Sequence, residues 1–117
     1  VSPILCPIHE DTPGPSAPDL TGLAEGRLRF RPMGDPEDLT PGRLTLRVIR
    51  DELKAIAAQR AKEDPALHYL DGLSLYGEQD ATALPLPDDL HPDAETHHLI
   101  GERFAELAFT AKGAFAP

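Results

Sequence analysis

Leu67-His68-Tyr69-Leu70-Asp71-Gly72-Leu73-Ser74-Leu75-Tyr76 is the stretch on which the fold turns. Leu67, Tyr69, Leu73 and Leu75 alternate with other side chains, the two-residue repeat of a half-buried strand. Just upstream, Leu46, Ile49, Leu53, Ile56 and Ala57 form one apolar stripe of a 3.6-residue repeat. Thr45 is placed to cap that helix, and Asp64-Pro65 to stop it, because the residue before proline avoids helical backbone. Downstream, Asp93 can cap a last helix whose stripe is Ile100, Phe104, Leu107 and Ala111, with His98, Glu102 and Glu106 on its wet face. Gly77 to Asp89 reads as loop.

Toward the N-terminus, Val1-Ser2-Pro3-Ile4-Leu5-Cys6-Pro7-Ile8 is short, apolar and bounded by turn residues, which suggests a buried or edge strand. His9–Gly26 and Pro32–Gly42 are rich in Pro, Gly and Asp and read as loops. Between them, Arg27-Leu28-Arg29-Phe30-Arg31 fits a short strand with one wet face. Strand, crossover helix, strand and packing helix imply a parallel unit of an open α/β sheet. Such sheets usually have about five strands, so this one is incomplete on its own.

The composition limits the function classes. At 117 residues the chain is about one domain long. Its net charge of −9 argues against nucleic acid and anionic membranes as partners. No apolar run approaches the roughly 18 residues of a membrane span. One cysteine excludes an intrachain disulfide scaffold. Charge is unevenly placed: residues 27–62 hold nine bases against five acids, and 63–117 hold two bases against eleven acids. A leader peptide would precede Val1 and cannot be read here; the cytoplasm is the favoured compartment.

Asp88-Asp89-Leu90-His91-Pro92 carries the chemistry. An aspartate three residues before a histidine, in a tight turn, can accept the Nδ1 proton and leave Nε2 free as a general base. Spacing favours Asp88 as the orienting carboxylate, with Asp89 the alternative. The block lies just beyond the second expected strand, where open α/β sheets place their ligands.

The block Asp88-Asp89-Leu90-His91-Pro92-Asp93, followed by an amphipathic segment, resembles the end of the SGNH (G-D-S-L) hydrolases, serine esterases and lipases. Val1-Ser2-Pro3-Ile4 resembles the fourth strand of that family, Leu44–Arg50 its next helix, and His68–Gly77 its last strand. The resemblance implies that residues 1–117 are the C-terminal part of a single domain with a flavodoxin-like three-layer α/β/α sheet of parallel strands. It implies His91 as general base and Asp88 as its orienting partner, in a Ser-His-Asp triad that cleaves carboxylic esters without metal or organic cofactor. Asp89 departs from the family, which often has Gly there. The family's Gly-Asp-Ser block is absent, and the chain has no asparagine to serve its oxyanion hole. A missing N-terminal part, or a second copy completing the sheet, is the implied partner beside a small ester or acyl substrate. The chain alone is expected to be inactive. The rival reading is a small non-catalytic α/β interaction or dimerisation module.

Other groups invite blander readings. Cys6 and His9 have the spacing of half a zinc site, with nothing matching elsewhere. Cys6 inside an apolar segment reads as packing rather than as a nucleophile. His97 and His98 read as surface residues in the first helical turn, and the Arg27-Arg29-Arg31 row as a solvated strand edge. Arg47, Arg50 and Lys54 read as a wet helix face, with Arg47 paired to Asp51.

Overall fold

A computed structural model describes residues 1–38 and 40–116; Leu39, within the expected Pro32–Gly42 loop, lies outside them. Its regular elements are strands β1 (Ser16–Asp19) and β2 (Arg29–Pro32) and helices α1 (Leu46–Arg60), α2 (Glu78–Ala83) and α3 (Ala94–Phe109). The two strands form an antiparallel hairpin in which Ala17 faces Arg31 and Pro18 faces Phe30. This corrects the expected fold: among the described residues there is no parallel sheet, and so no three-layer α/β/α arrangement. No helix among them is long and apolar enough to cross a membrane.

The strand expected over 67–76 is broken at its centre by Asp71-Gly72. The Asp71 side chain accepts from the Leu73 N–H at 3.0 Å, and its carbonyl accepts from the Ser74 N–H at 3.0 Å. Together they wind Gly72–Ser74 into a 3-10 turn. A carboxylate that bonds the backbone two residues on competes with a sheet ladder, and here it wins. The opening segment fails as a strand for a different reason. Pro3 and Pro7 have no N–H, and Pro7 starts a 3-10 turn over Pro7–His9. Isolated backbone bonds remain, Ser2 N–H to the Leu70 carbonyl (2.9 Å) and Leu5 N–H to that of Tyr76 (3.0 Å). They lay the two segments side by side in the same direction without a ladder. Gly72 is needed at the crossing, since a Cβ there would stand 2.3 Å from the Pro3 carbonyl oxygen.

Both long helices form where the periodicity puts them, except that α3 ends at Phe109, short of Ala111 in its expected stripe. The Thr45 hydroxyl accepts from Val48 N–H at 3.3 Å, and the Asp93 carboxylate from Thr96 N–H at 2.8 Å, each closing an open helix start. Beyond them, Asp80 supports the unforeseen helix α2 by accepting from the Gly77 N–H (2.9 Å). Asp80 also accepts two hydrogen bonds from Arg103 of α3, at 2.7 and 2.9 Å. That contact holds the Asp80 carboxyl below the ordinary carboxylate range, with the Gly77 N–H adding to it against burial. A carboxyl depressed in the folded state contributes stability above its unfolded value, and loses it as pH falls through the folded one. Asp80→Asn is therefore expected to flatten the acid limb of stability below about pH 4. Urea midpoints measured across that range check this; parallel curves for both proteins would refute it.

Helix α1 does not present a plain wet face. Arg50 is buried, 6% exposed, and its guanidinium pairs with the buried Glu10 carboxylate. Arg47 pairs with Asp11 at 2.8 Å, not with Asp51 as the helical spacing suggested. The Glu10 carboxylate also accepts from the Cys6 N–H at 3.3 Å. The opening segment is thereby tied to α1 by charge as well as by packing.

The core is small. Leu5, Cys6, Tyr76 and Leu86 form it, with Ile8, Leu46, Leu90 and Ile100 packed around them. The radius of gyration is 16.6 Å, against about 13 Å for a compact chain of this length. The accessible surface of 8130 Å² exceeds by about 1,900 Å² the roughly 6,200 Å² of a compact monomer of this mass. Apolar side chains share in the exposed surface: Val48, Leu53 and Ile56 on α1 and Leu107 on α3 stay exposed.

Candidate active site

The turn after Leu86 builds the site. Asp89 N–H bonds the Leu86 carbonyl at 3.1 Å, closing a turn in which the Asp88 side chain faces the residues that follow it. One Asp88 carboxylate oxygen accepts from Leu90 N–H (3.0 Å) and His91 N–H (2.6 Å). The other lies 2.7 Å from His91 Nδ1. Burial presses the Asp88 carboxyl upward, but these bonds from the His91 backbone, the His91 ring and Leu90 outweigh it and hold it below the ordinary range. An ionised carboxylate only accepts, so Nδ1 carries a proton, and in the neutral ring that leaves the lone pair on Nε2. The His91 side chain is 62% exposed, and Nε2 has no hydrogen-bond partner among the described residues.

Asp88 and not Asp89 therefore contacts the ring. Asp89 sits at φ 69°, the left-handed region that glycine enters without cost and Asp tolerates better than most residues. Its carboxylate accepts two hydrogen bonds from Arg29 of β2, at 2.7 and 3.0 Å. Its carbonyl lies 3.6 Å from the Cys6 sulfur. The hairpin touches the turn again at Phe30, whose N–H bonds the Asp88 carbonyl at 2.9 Å. The Phe30 ring stands edge to face with the His91 ring, 5.2 Å between centroids. Nothing local in the sequence pairs residues 29–30 with 88–91; that contact exists only through the chain's return.

Among the described residues, none of the remaining candidates touches the His91 Nε2. Cys6 is buried, and desolvation pushes its thiol up, the reverse of an activated nucleophile. His9 spends both ring nitrogens within its own loop, Nδ1 on the Thr12 carbonyl (3.0 Å) and Nε2 on the Ser16 hydroxyl (2.6 Å). No group of three metal-ligating side chains lies together among the described residues. His97 and His98 are exposed on α3, and His98 faces Glu102 at 3.2 Å. Arg29 belongs to the Asp89 contact, while Arg27 and Arg31 stay exposed.

Sequence reasoning missed the Ser16–His9 contact. With the Thr12 carbonyl behind it, this is a serine, an imidazole and an orienting acceptor in line. Ser16 is the first residue of β1, and the contact closes the 9–16 loop. Ser2 and Ser74 are also engaged away from His91, with Gly72 N–H and the Asp71 carbonyl. Among the described residues, His91 and Asp88 thus form a hydrogen-bonded pair with no serine hydroxyl at Nε2. An apolar cleft of about 450 Å³ opens between residues 66–70 and Phe104, Leu107 and Phe115, away from His91. Comparison with protein-family models, with curated proteins and with solved structures finds no match to this chain.

Proposed function

We propose that this chain is the C-terminal portion of an SGNH-type serine hydrolase acting on carboxylic esters, to which it supplies His91 as general base and Asp88 as orienting carboxylate. The observation that carries the reading is the 2.7 Å Asp88–His91 contact with Nε2 left open. In the reaction, Nε2 takes the proton of a serine hydroxyl as the oxygen attacks the ester carbonyl. The imidazolium then returns that proton to the departing alkoxide, and the same ring activates water to release the acid. Asp88 stabilises the imidazolium in both halves.

The serine and the oxyanion donors come from outside these residues, since the chain has neither Gly-Asp-Ser nor asparagine. The polypeptide that brings them is the missing N-terminal part of the same protein, since a second copy of this chain has the same residues and lacks both. It covers the exposed apolar stripe of α1 and the cleft beside α3. The surplus accessible surface of about 1,900 Å² is roughly twice the ~800 Å² per partner that a standard stable contact buries, the scale of an obligate interface.

That same surplus favours a second reading, a non-catalytic interaction module; the two differ in chemistry. In the complete protein, a fluorophosphonate is expected to label one serine outside these residues, and a short chromogenic ester to be hydrolysed. Labelling of Ser16 would move the active site to the His9 loop. No labelling and no turnover in the assembled protein would leave the module.

A further inference from the structure

We infer that Phe30, carried by the β1–β2 hairpin, is a positioning residue for His91, fixing the tilt of the imidazole that the Asp88 hydrogen bond leaves free. The inference rests on the reading of His91 as the base. A histidine ring has two soft torsions, and one hydrogen bond at Nδ1 still lets the plane rock about the N–H···O axis. His91 is mostly solvent-exposed, so general packing does not stop that motion. Phe30 does, through an edge-to-face contact at an interplanar angle of 80°.

The hairpin is itself registered on the turn. Phe30 N–H holds the Asp88 carbonyl (2.9 Å) and Arg29 the Asp89 carboxylate, so two successive residues of β2 grip two successive residues of the turn. The Met33 N–H to Pro15 carbonyl bond, 2.8 Å, ties the base of the hairpin. The ring of Phe30 consequently arrives at the ring of His91 in one register, and the direction in which Nε2 points is set by both.

The complete protein bearing Phe30→Ala, Phe30→Leu or Phe30→Tyr tests this, with steady-state kinetics on a short chromogenic ester and NMR of the His91 Nδ1 proton. Loss of the ring in the Ala and Leu variants is expected to lower kcat about tenfold, with KM held within about twofold, and to speed solvent exchange of the Nδ1 proton. Phe30→Tyr, which keeps the ring, is expected to restore both. Unchanged kcat and exchange in Phe30→Leu, or an equal loss in Phe30→Tyr, overturns the positioning role. Should Phe30→Ala fail to fold, Phe30→Leu decides, since it keeps apolar bulk without the ring. An unaltered protein with no esterase activity would defeat the reading of His91 as base. The exchange rate in Phe30→Leu would still settle the positioning.

Discussion

His91→Ala in the complete protein is expected to lower kcat on short esters by on the order of 10⁴-fold, while the protein stays folded. The ring is exposed and contributes little burial, so its removal takes away the proton acceptor and leaves the core intact. Asp88→Asn is the sharper companion, expected to cost about 10³- to 10⁴-fold. An asparagine oxygen can still accept from the Leu90 and His91 N–H groups, so the turn survives. Its amide N–H₂, turned toward Nδ1, would favour the tautomer that carries the proton on Nε2. That ring cannot accept a proton from a hydroxyl. Steady-state rates with circular dichroism as the fold check decide the matter. Near-normal turnover in either variant would remove His91 and Asp88 from the reaction.

The largest effect on stability is expected at Glu10. Glu10→Ala leaves the Arg50 guanidinium buried without its counter-charge, a defect that costs about 3–5 kcal/mol. Domains are stable by only about 5–15 kcal/mol, so most of the margin would go. The Cys6 N–H loses an acceptor in the same step. Replacing both partners, Glu10→Leu with Arg50→Met, is expected to recover most of the loss, because the desolvated charges disappear together. Denaturant midpoints of the single and double variants measure this. A single variant as stable as the parent would show that the pair is worth no more than a surface contact.

Arg50 shows how far a helical repeat can be read. It stands four residues from Leu46, about 40° around the helix, at the margin of the apolar stripe rather than opposite it. With Arg47 and Lys54 it reads as part of a wet face, and Glu10, 40 residues away, gives no local hint of its burial. Leu53 and Ile56 make the opposite case. Their spacing marks an apolar face, yet Ile56 remains 52% exposed at the edge of a cleft it shares with Val1, Leu67 and Tyr69.

The expected strands failed where side-chain alternation was weighed above backbone chemistry. Asp71-Gly72 is a turn signal inside an alternating run, and Pro3 and Pro7 remove donors from the segment meant to pair with it. The hairpin went half-seen: Arg29-Phe30-Arg31 shows alternation, whereas Ser16-Ala17-Pro18-Asp19 shows none and is a strand only through its partner.

By itself the sequence determined the features whose two halves lie within a few residues. These are the Thr45 and Asp93 caps, the two long helices and the Asp88–His91 pair, all of which close through local hydrogen bonds. Tertiary structure alone decided that Phe30 and Arg29 meet the turn, that Glu10 neutralises Arg50, and that no parallel sheet forms among the described residues. Those outcomes depend on which distant segments return to one another, and on how much apolar surface each return covers.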